Sequence, residues 1–268
     1  LHIGTWNVRT LLQVGAMNGI ADEIIKYRME IVAIQEIRWK NKGVINKANF
    51  SIYYSGKDDR QGECGVGFIV TRQMRKAVLA FTPVSERICT LRVKGKLHNI
   101  TLVNVYAPTE GTEEVAVDGF YDELQSVCDN ISKHDMIIVL GDYNAKLWKE
   151  EVYVKLFGRN SLHEETNNNG LRVAQFAAAN NLRVMSTYFP RKDIHKGTWK
   201  IPGTNNFNQI DHILVSRRWA TDVENVRTFR GANSDSDHYL VGFRMKQKIC
   251  MVMKGKMERI KRWNVDKL

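Results

Sequence analysis

Short apolar runs broken by polar and glycine-containing segments make up most of the chain, and three stretches show helical spacing. Residues 2–8 alternate apolar and polar side chains as a strand does, and residues 30–35 form a second strand. Between them, Ile20, Ile24 and Tyr27 fall on one face of a helix over residues 17–29. Runs rich in β-branched residues follow at 65–71, 88–93 and 99–106, divided by Gly, Pro and charge. A long helix is predicted over about residues 113–131, and residues 136–140 are a continuous apolar strand stopped by Gly141. Asn167-Asn168-Asn169-Gly170 is predicted as a turn leading into a helix through Leu171, Ala174, Gln175 and Ala178. The last third predicts strands at 183–185, 198–200, 209–215, 223–229 and 238–243.

Fully apolar strands next to alternating ones suit two packed mixed sheets with helices outside, an α/β sandwich. With 268 residues, 43% of them hydrophobic, the chain is long enough for one large core and too apolar for a disordered polymer. No apolar run approaches the 18 or so residues of a membrane span. Neither an internal repeat nor a Pro-rich linker divides the sequence, so one domain is expected over residues 1–244.

Charge separates the remaining residues, 245–268. They carry eight basic and two acidic side chains, against 32 basic and 27 acidic in the rest, and read as a basic tail or linker. A net +5 on the body is a mild sign of a polyanionic partner, and the tail adds to it. Cys64, Cys89, Cys128 and Cys250 lack the paired spacing of a zinc site and the density of a disulfide scaffold, so reduced thiols are expected. The opening Leu1-His2-Ile3-Gly4 has neither a signal-peptide pattern nor an initiator Met, and reads as part of a longer chain. An intracellular, nuclear setting is the expectation, with Lys254-Gly255-Lys256 to Lys261-Arg262 as a weak import candidate.

Polar groups recur where apolar strands end: Asn7, Glu36, Tyr106, Asp142 with Asn144, Asp211, and Asp237-His238. Each alone fits a turn, a cap or a half-buried strand position better than a ligand. Together they supply the parts of metal-assisted phosphoester hydrolysis. A hard cation needs oxygen ligands, a carboxylate must orient or deprotonate water, and a donor must neutralise charge on phosphorus. Glu36 suits the metal, Asp142 the water, Asn7 and Asn144 the oxygens, and His238 phosphate contact or proton transfer. Asp211 can orient the His238 ring.

Seven ordered blocks carry a resemblance. Trp6-Asn7, Gln35-Glu36, Asn104-x-Tyr106-x-Pro108, Gly141-Asp142-x-Asn144, Thr198-Trp199, Ile210-Asp211-His212 and Ser236-Asp237-His238 resemble the endonuclease/exonuclease/phosphatase superfamily. Gly4 to Thr10, Gln35 to Trp39 and Gly197 to Leu214 are most similar to endonuclease domains of non-LTR retrotransposons. The resemblance implies a DNase I-like, four-layer sandwich over residues 1 to about 243 and an activity that nicks target or abasic DNA to leave a 3′-hydroxyl. It implies Mg²⁺, with Mn²⁺ as a substitute, and a reverse transcriptase farther along the parent chain.

Carried over by position, the resemblance implies Glu36 as principal metal ligand, with Asn7 and Asp237 near the metal. Asp142 activates water with Asn144 as partner, Tyr106 lies against the scissile phosphate, and Asp211 and His238 form a hydrogen-bonded pair. One metal ion or two, and His238 or Asp142 as proton acceptor, are both compatible with the family. Asn168, Asn169, Trp39, Thr198 and Trp199 are the candidate DNA contacts. Lys40, Lys42, Arg72, Arg75, Lys76, Arg191, Lys192, Lys196 and Lys200 are candidates for a phosphate-tracking rim. Residues 200–209 either probe the double helix or form a hairpin turn. Gly62, Gly65 and Gly67 precede a strand instead of opening a helix, which excludes a dinucleotide loop. Two other functions compete: a phosphatase or phospholipase of the same superfamily, and an inactive domain that only binds nucleic acid or protein.

Overall fold

The computed structural model describes residues 1–58, 62–148, 153, 156–233 and 235–250. In chain order the first elements are β1 (His2–Asn7), α1 (Ala16–Lys26), β2 (Ile31–Gln35), β3 (Lys42–Asn46), β4 (Phe50–Ser55) and β5 (Val66–Thr71). Then come β6 (Val78–Pro83), β7 (Ile88–Val93), β8 (Ile100–Tyr106), α2 (Glu114–Asp129) and β9 (Met136–Asp142). The last are α3 (Asn168–Ala179), β10 (Leu182–Val184), β11 (Trp199–Lys200), β12 (Phe207–Asn208), β13 (Asp211–Ser216), β14 (Val223–Phe229) and β15 (Leu240–Met245).

Seven strands form one sheet in the order β14-β15-β1-β2-β5-β4-β3, and six form another in the order β10-β13-β9-β8-β7-β6. Both sheets are mixed, because β1 runs parallel to β2 and β8 parallel to β9 while their other partners are antiparallel. Ile31, Ala33, Phe68 and Val70 of the first sheet meet Leu91, Leu102, Ile138 and Leu140 of the second in the central core. On the outer face of the first sheet, Trp6, Val32 and Ile34 pack against Ile20 and Ile24 of α1. Val103, Val105 and Val139 do the same against α2 and α3 through Phe120, Leu124, Val173 and Ala177. The order is helix, sheet, sheet, helix, and a strand covered on both faces has no use for polar alternation. That is why β2 and β9 read as continuous apolar runs.

Several boundaries differ from expectation. β3, β4 and β6 had no signal: β3 is an edge strand with every second residue exposed, and β6 leaves Leu79 at 41% exposure. The Asn167–Gly170 stretch is a helix start, since the Asn167 side chain accepts the Gly170 N–H at 2.9 Å and α3 begins at Asn168. Residues 200–209 form the β11–β12 hairpin, with Trp199 opposite Asn208. Of the basic tail, residues 246–250 lie along the body, where Gly95 bridges Ile249 and the Cys250 N–H donates to Lys94 O. The rest of that tail, with the import candidate, lies outside the described residues. No disulfide joins the four cysteines, and Cys89 and Cys128 are buried. No described helix is long and apolar enough to cross a membrane.

Candidate active site

Strand direction gathers the polar strand ends. β1 and β2 are parallel neighbours ending at Asn7 and Gln35, which face each other in register, and Glu36 follows at once. In the other sheet β8 and β9 are parallel and end at the paired residues Tyr106 and Asp142. β13 is antiparallel to β9 and therefore starts at this same edge, with Asp211 opposite Asp142. β15 is antiparallel to β1, which brings His238 there just before the strand begins. All six sites sit on one rim of the sandwich.

Asn7 ties the two sheets together there. It is fully buried, and its Nδ2 donates to Glu36 Oε1 at 2.8 Å and to Asp142 Oδ2 at 2.9 Å. The Tyr106 hydroxyl donates to the same Glu36 oxygen at 3.0 Å. Glu36 leaves β2 in the left-handed region (φ 53°), a conformation uncommon for a non-glycine residue and enriched at functional sites. Asp142 Oδ1 accepts the Asn144 N–H at 3.0 Å, and Asn144 Nδ2 donates to Ala107 O at 3.0 Å. Gly141 allows this approach: a Cβ there would stand 1.9 Å from Val105 O.

His238 and Asp211 form a buried pair, Nδ1 to Oδ2 at 3.1 Å, and His238 Nε2 faces Asp142 Oδ2 at 3.8 Å. Burial alone would lower the ring's pKa, but the Asp211 and Asp142 carboxylates outweigh it and raise it to about 9. Burial, then the Asp211 charge, push Asp142 up to about 7, against the His238 charge and the Asn7 amide. A cationic imidazole thus stands beside a carboxyl poised near neutrality, the arrangement general acid–base chemistry requires. Burial and the Glu36 and Asp142 charges also raise the Tyr106 phenol well above its usual range, so it stays a protonated donor.

Asp142, Asp211 and His238 have ligand atoms within 4.8 Å of one another and are the one such group among the described residues. With a neutral ring this group could hold a metal ion; with the ring held on Asp211 it also suits proton and phosphate chemistry. Glu36 and Asp237 are the other carboxylates at this rim. Asp237 Oδ1 is buried without a hydrogen-bond partner among the described residues, as is Asp211 Oδ1. Carboxylate oxygens suit a hard divalent cation such as Mg²⁺, so Glu36 and Asp237 fit such an ion. The Asn7 amide oxygen accepts the Arg9 N–H at 3.0 Å, so Asn7 supports the carboxylates through its Nδ2.

The candidate DNA contacts separate into two kinds. Trp199 is half-buried over the His238 ring, centroids 6.2 Å apart, and its Nε1 donates to Asp237 Oδ2 at 3.1 Å. Asn168 is exposed at the start of α3, beside Glu110 and Glu114. The other three make bonds within the fold, Thr198 and Asn169 buried and Trp39 half-buried. Thr198 is 1% exposed, and its Oγ1 accepts the N–H groups of Ile210 and Asp211 at 3.0 and 3.1 Å. Asn169 is 3% exposed and donates to Pro108 O and Asn144 O. Trp39 donates to Leu11 O and packs edge-on against Tyr54.

The single basic rim also divides. Arg72 lines a groove with Leu1, Arg28 and Arg244 at the opposite end of the sheet, and Arg75 donates to the carbonyls of Lys47 and Phe50 there. Lys196 pairs with Asp193, and Arg191 donates to Asn225.

Three arginines that sequence reasoning missed lie at the cleft. Arg38 pairs with Glu36 at 3.0 Å, and Arg9 with Asp237 at 3.6 Å. Arg87 stacks over the Tyr106 ring and donates to Tyr106 O. Only nearness in sequence to Asn7 and Glu36 could have pointed to Arg9 and Arg38.

Known proteins agree with this geometry. Craniofacial development protein 2 of Bos taurus is 34% identical over 249 residues, covering 92% of this chain and 41% of that protein. The chain therefore spans about two fifths of that relative's length. The catalytic domain of Xenopus laevis APE2 superposes with a TM-score of 0.72 at 17% identity, covering 95% of this chain and 94% of that one. The endonuclease domain of TRAS1, a telomere-specific non-LTR retrotransposon, gives 0.64 at 16% identity, covering 91% and 97%. At those identities the likeness is one of fold, two mixed sheets flanked by helices in the DNase I-like manner. The profile of the Endonuclease/Exonuclease/phosphatase family matches residues 4–238, a span that holds every block quoted above, and the chain belongs to that family.

Proposed function

We propose that this domain is a Mg²⁺-dependent DNA endonuclease that hydrolyses a phosphodiester to leave a 3′-hydroxyl and a 5′-phosphate. The observation that carries the reading is the joining of Glu36, Asn7, Asp142, His238 and Asp211 in one network at a sheet edge. Glu36 and Asp237 would hold the cation, with Asn7 near it bracing Glu36 and Asp142, and Mn²⁺ would substitute for Mg²⁺. When bound, that ion neutralises charge on the phosphate and its leaving oxygen.

The chain's own groups do the rest. Asp142, with a carboxyl near neutrality, orients the attacking water and takes its proton. The His238 imidazolium, held by Asp211, offers its Nε2–H to a phosphate oxygen. Asn144, whose backbone N–H donates to Asp142 Oδ1, is its partner in binding a second phosphate oxygen. The Tyr106 phenol, whose one O–H donates to Glu36 Oε1, would turn that donor to the scissile phosphate. Trp199 and Asn168 are the DNA contacts retained from the five candidates.

The likeness to a retrotransposon endonuclease domain supports a target-nicking role, nuclear location and a reverse transcriptase in the parent polyprotein. The test is nicking of supercoiled plasmid with Mg²⁺ and with EDTA, beside Asp142→Ala. Mg²⁺-dependent nicking that a polymerase can extend from, lost in Asp142→Ala, is the expected result. A folded wild-type chain that leaves the plasmid intact but hydrolyses a phosphomonoester or a lipid would transfer the assignment to the phosphatase branch. Tight DNA binding without turnover in any divalent ion would make it a binding domain.

A further inference from the structure

Arg38 and Arg9 pair with the two carboxylates assigned to the cation, Glu36 and Asp237, and with no other acid among the described residues. Neither arginine is locked in: their side chains are 37% and 53% exposed. Both have left-handed backbones, φ 59° and 57°, which set them beside the strand ends instead of along a strand. Both also line a groove of about 450 Å³ next to the site, together with Thr10, Gln13 and Asn233. The two guanidiniums, Thr10, Gln13 and Asn233 offer donors to a polyanion there, against the single carboxylate of Asp235.

A guanidinium and a dication cannot share Glu36 Oε2, and two like charges a few ångströms apart repel strongly in a half-buried site. We propose that Arg9 and Arg38 are exchangeable counter-ions. They hold Asp237 and Glu36 while no cation is bound, then turn into the adjoining groove to take strand phosphates once a divalent ion occupies those carboxylates. The proposal rests on the reading of Glu36 and Asp237 as cation ligands. Its consequence is a coupling: metal entry creates part of the DNA-binding charge, so each ligand favours the other.

The test measures two bindings of opposite sign. Mn²⁺ is titrated calorimetrically into the DNA-free chain, and a fluorescent duplex is bound in Ca²⁺ at several salt concentrations. Arg38→Gln is expected to bind Mn²⁺ about five- to tenfold tighter, because one repelling charge is gone. The same variant binds duplex more weakly, with the salt slope reduced by about one. Arg9→Gln moves both in the same directions, and Arg38→Lys stays near wild type in both. Mn²⁺ binding that is unchanged or weaker in folded Arg38→Gln and Arg9→Gln would overturn the exchange and make the arginines fixed supports. A wild-type chain that binds no Mn²⁺, or one whose binding survives Glu36→Gln, would strike the cation assignment itself and the exchange with it.

Discussion

His212 links the pH dependence of stability to the loop that carries Asn144. It is fully buried on β13; its Nε2 lies 2.8 Å from Ala145 O and its Nδ1 2.9 Å from Ser186 Oγ. A carbonyl can only accept, so Nε2 carries the proton and Nδ1 receives the serine hydroxyl in the neutral ring. Burial drives the pKa from 6.5 down to about 4, against the Ala145 bond and the Asp211 charge. Between those values the unfolded chain binds a proton that the folded chain refuses. The contribution is therefore complete above about pH 6.5 and is lost as pH falls through about 4.

At about 1.4 kcal/mol per tenfold, the gap is worth about 3 kcal/mol in total, of which about 2 kcal/mol disappears between pH 7 and pH 5. Other groups titrate in this window: His163 has the same sign, and Asp142, with a raised pKa, the opposite one. A difference measurement removes them. His212→Gln keeps a donor toward Ala145 O and has no charge to gain. Urea unfolding followed by tryptophan fluorescence should find the variant's stability deficit about 2 kcal/mol smaller at pH 5 than at pH 7. A deficit constant to within about 0.5 kcal/mol across that range would refute a neutral buried imidazole.

Asp211→Asn removes the carboxylate that most raises His238, so the ring should titrate well below about 9 in an NMR titration; an unmoved midpoint would break the assignment of cause. Thr198→Val leaves the buried N–H groups of Ile210 and Asp211 without their acceptor and should cost about 2–4 kcal/mol in chemical denaturation, with Thr198→Ser restoring most of it. Equal stability of valine and serine variants would show that these bonds are dispensable. Gly141→Ala places a Cβ 1.9 Å from Val105 O, and the expected loss of more than about 3 kcal/mol is read as a lowered melting temperature.

What the sequence reveals follows from where its signals are strong. Asn7, Glu36, Tyr106 and Asp142 each close an apolar run, and parallel pairing sends such ends to one edge, so the cleft was legible from pattern alone. β3 and β6 were silent because edge strands bury little and read as loop. Asn169 reads as a turn residue and Thr198 as the start of a strand, each with a side chain free for DNA. Their burial is a tertiary fact, since the backbone groups they satisfy come from residues 12 or more positions away or from other loops. Arg9 and Arg38 were missed for a different reason. Their pairing depends on left-handed backbones at Arg9, Glu36 and Arg38, which local propensity argues against.

The site also depends on a polar element inside the core. Gln35, one residue before Glu36, donates from Nε2 to Thr5 Oγ1 and to Asn104 Oδ1 at 2.9 and 2.7 Å. Asn104, two residues before Tyr106, donates from Nδ2 to Ile34 O and Gly67 O at 2.9 and 2.7 Å. The Gln35–Thr5 bond joins neighbouring strands of the first sheet, and the other three cross to or from Asn104 of the second, between faces otherwise lined by apolar side chains. Apolar surfaces alone tolerate small slips by repacking, whereas directional bonds between buried groups do not. The register matters because Glu36 belongs to one sheet and Tyr106 and Asp142 to the other. Bonds of 2.9–3.0 Å between them fail if the sheets slide by an ångström. Gln35 Oε1 is left buried without a partner among the described residues, a cost in stability of the kind functional sites retain. The core beneath the cleft is thus built for alignment as well as for burial, and alignment is what lets two sheets hold one set of reacting groups.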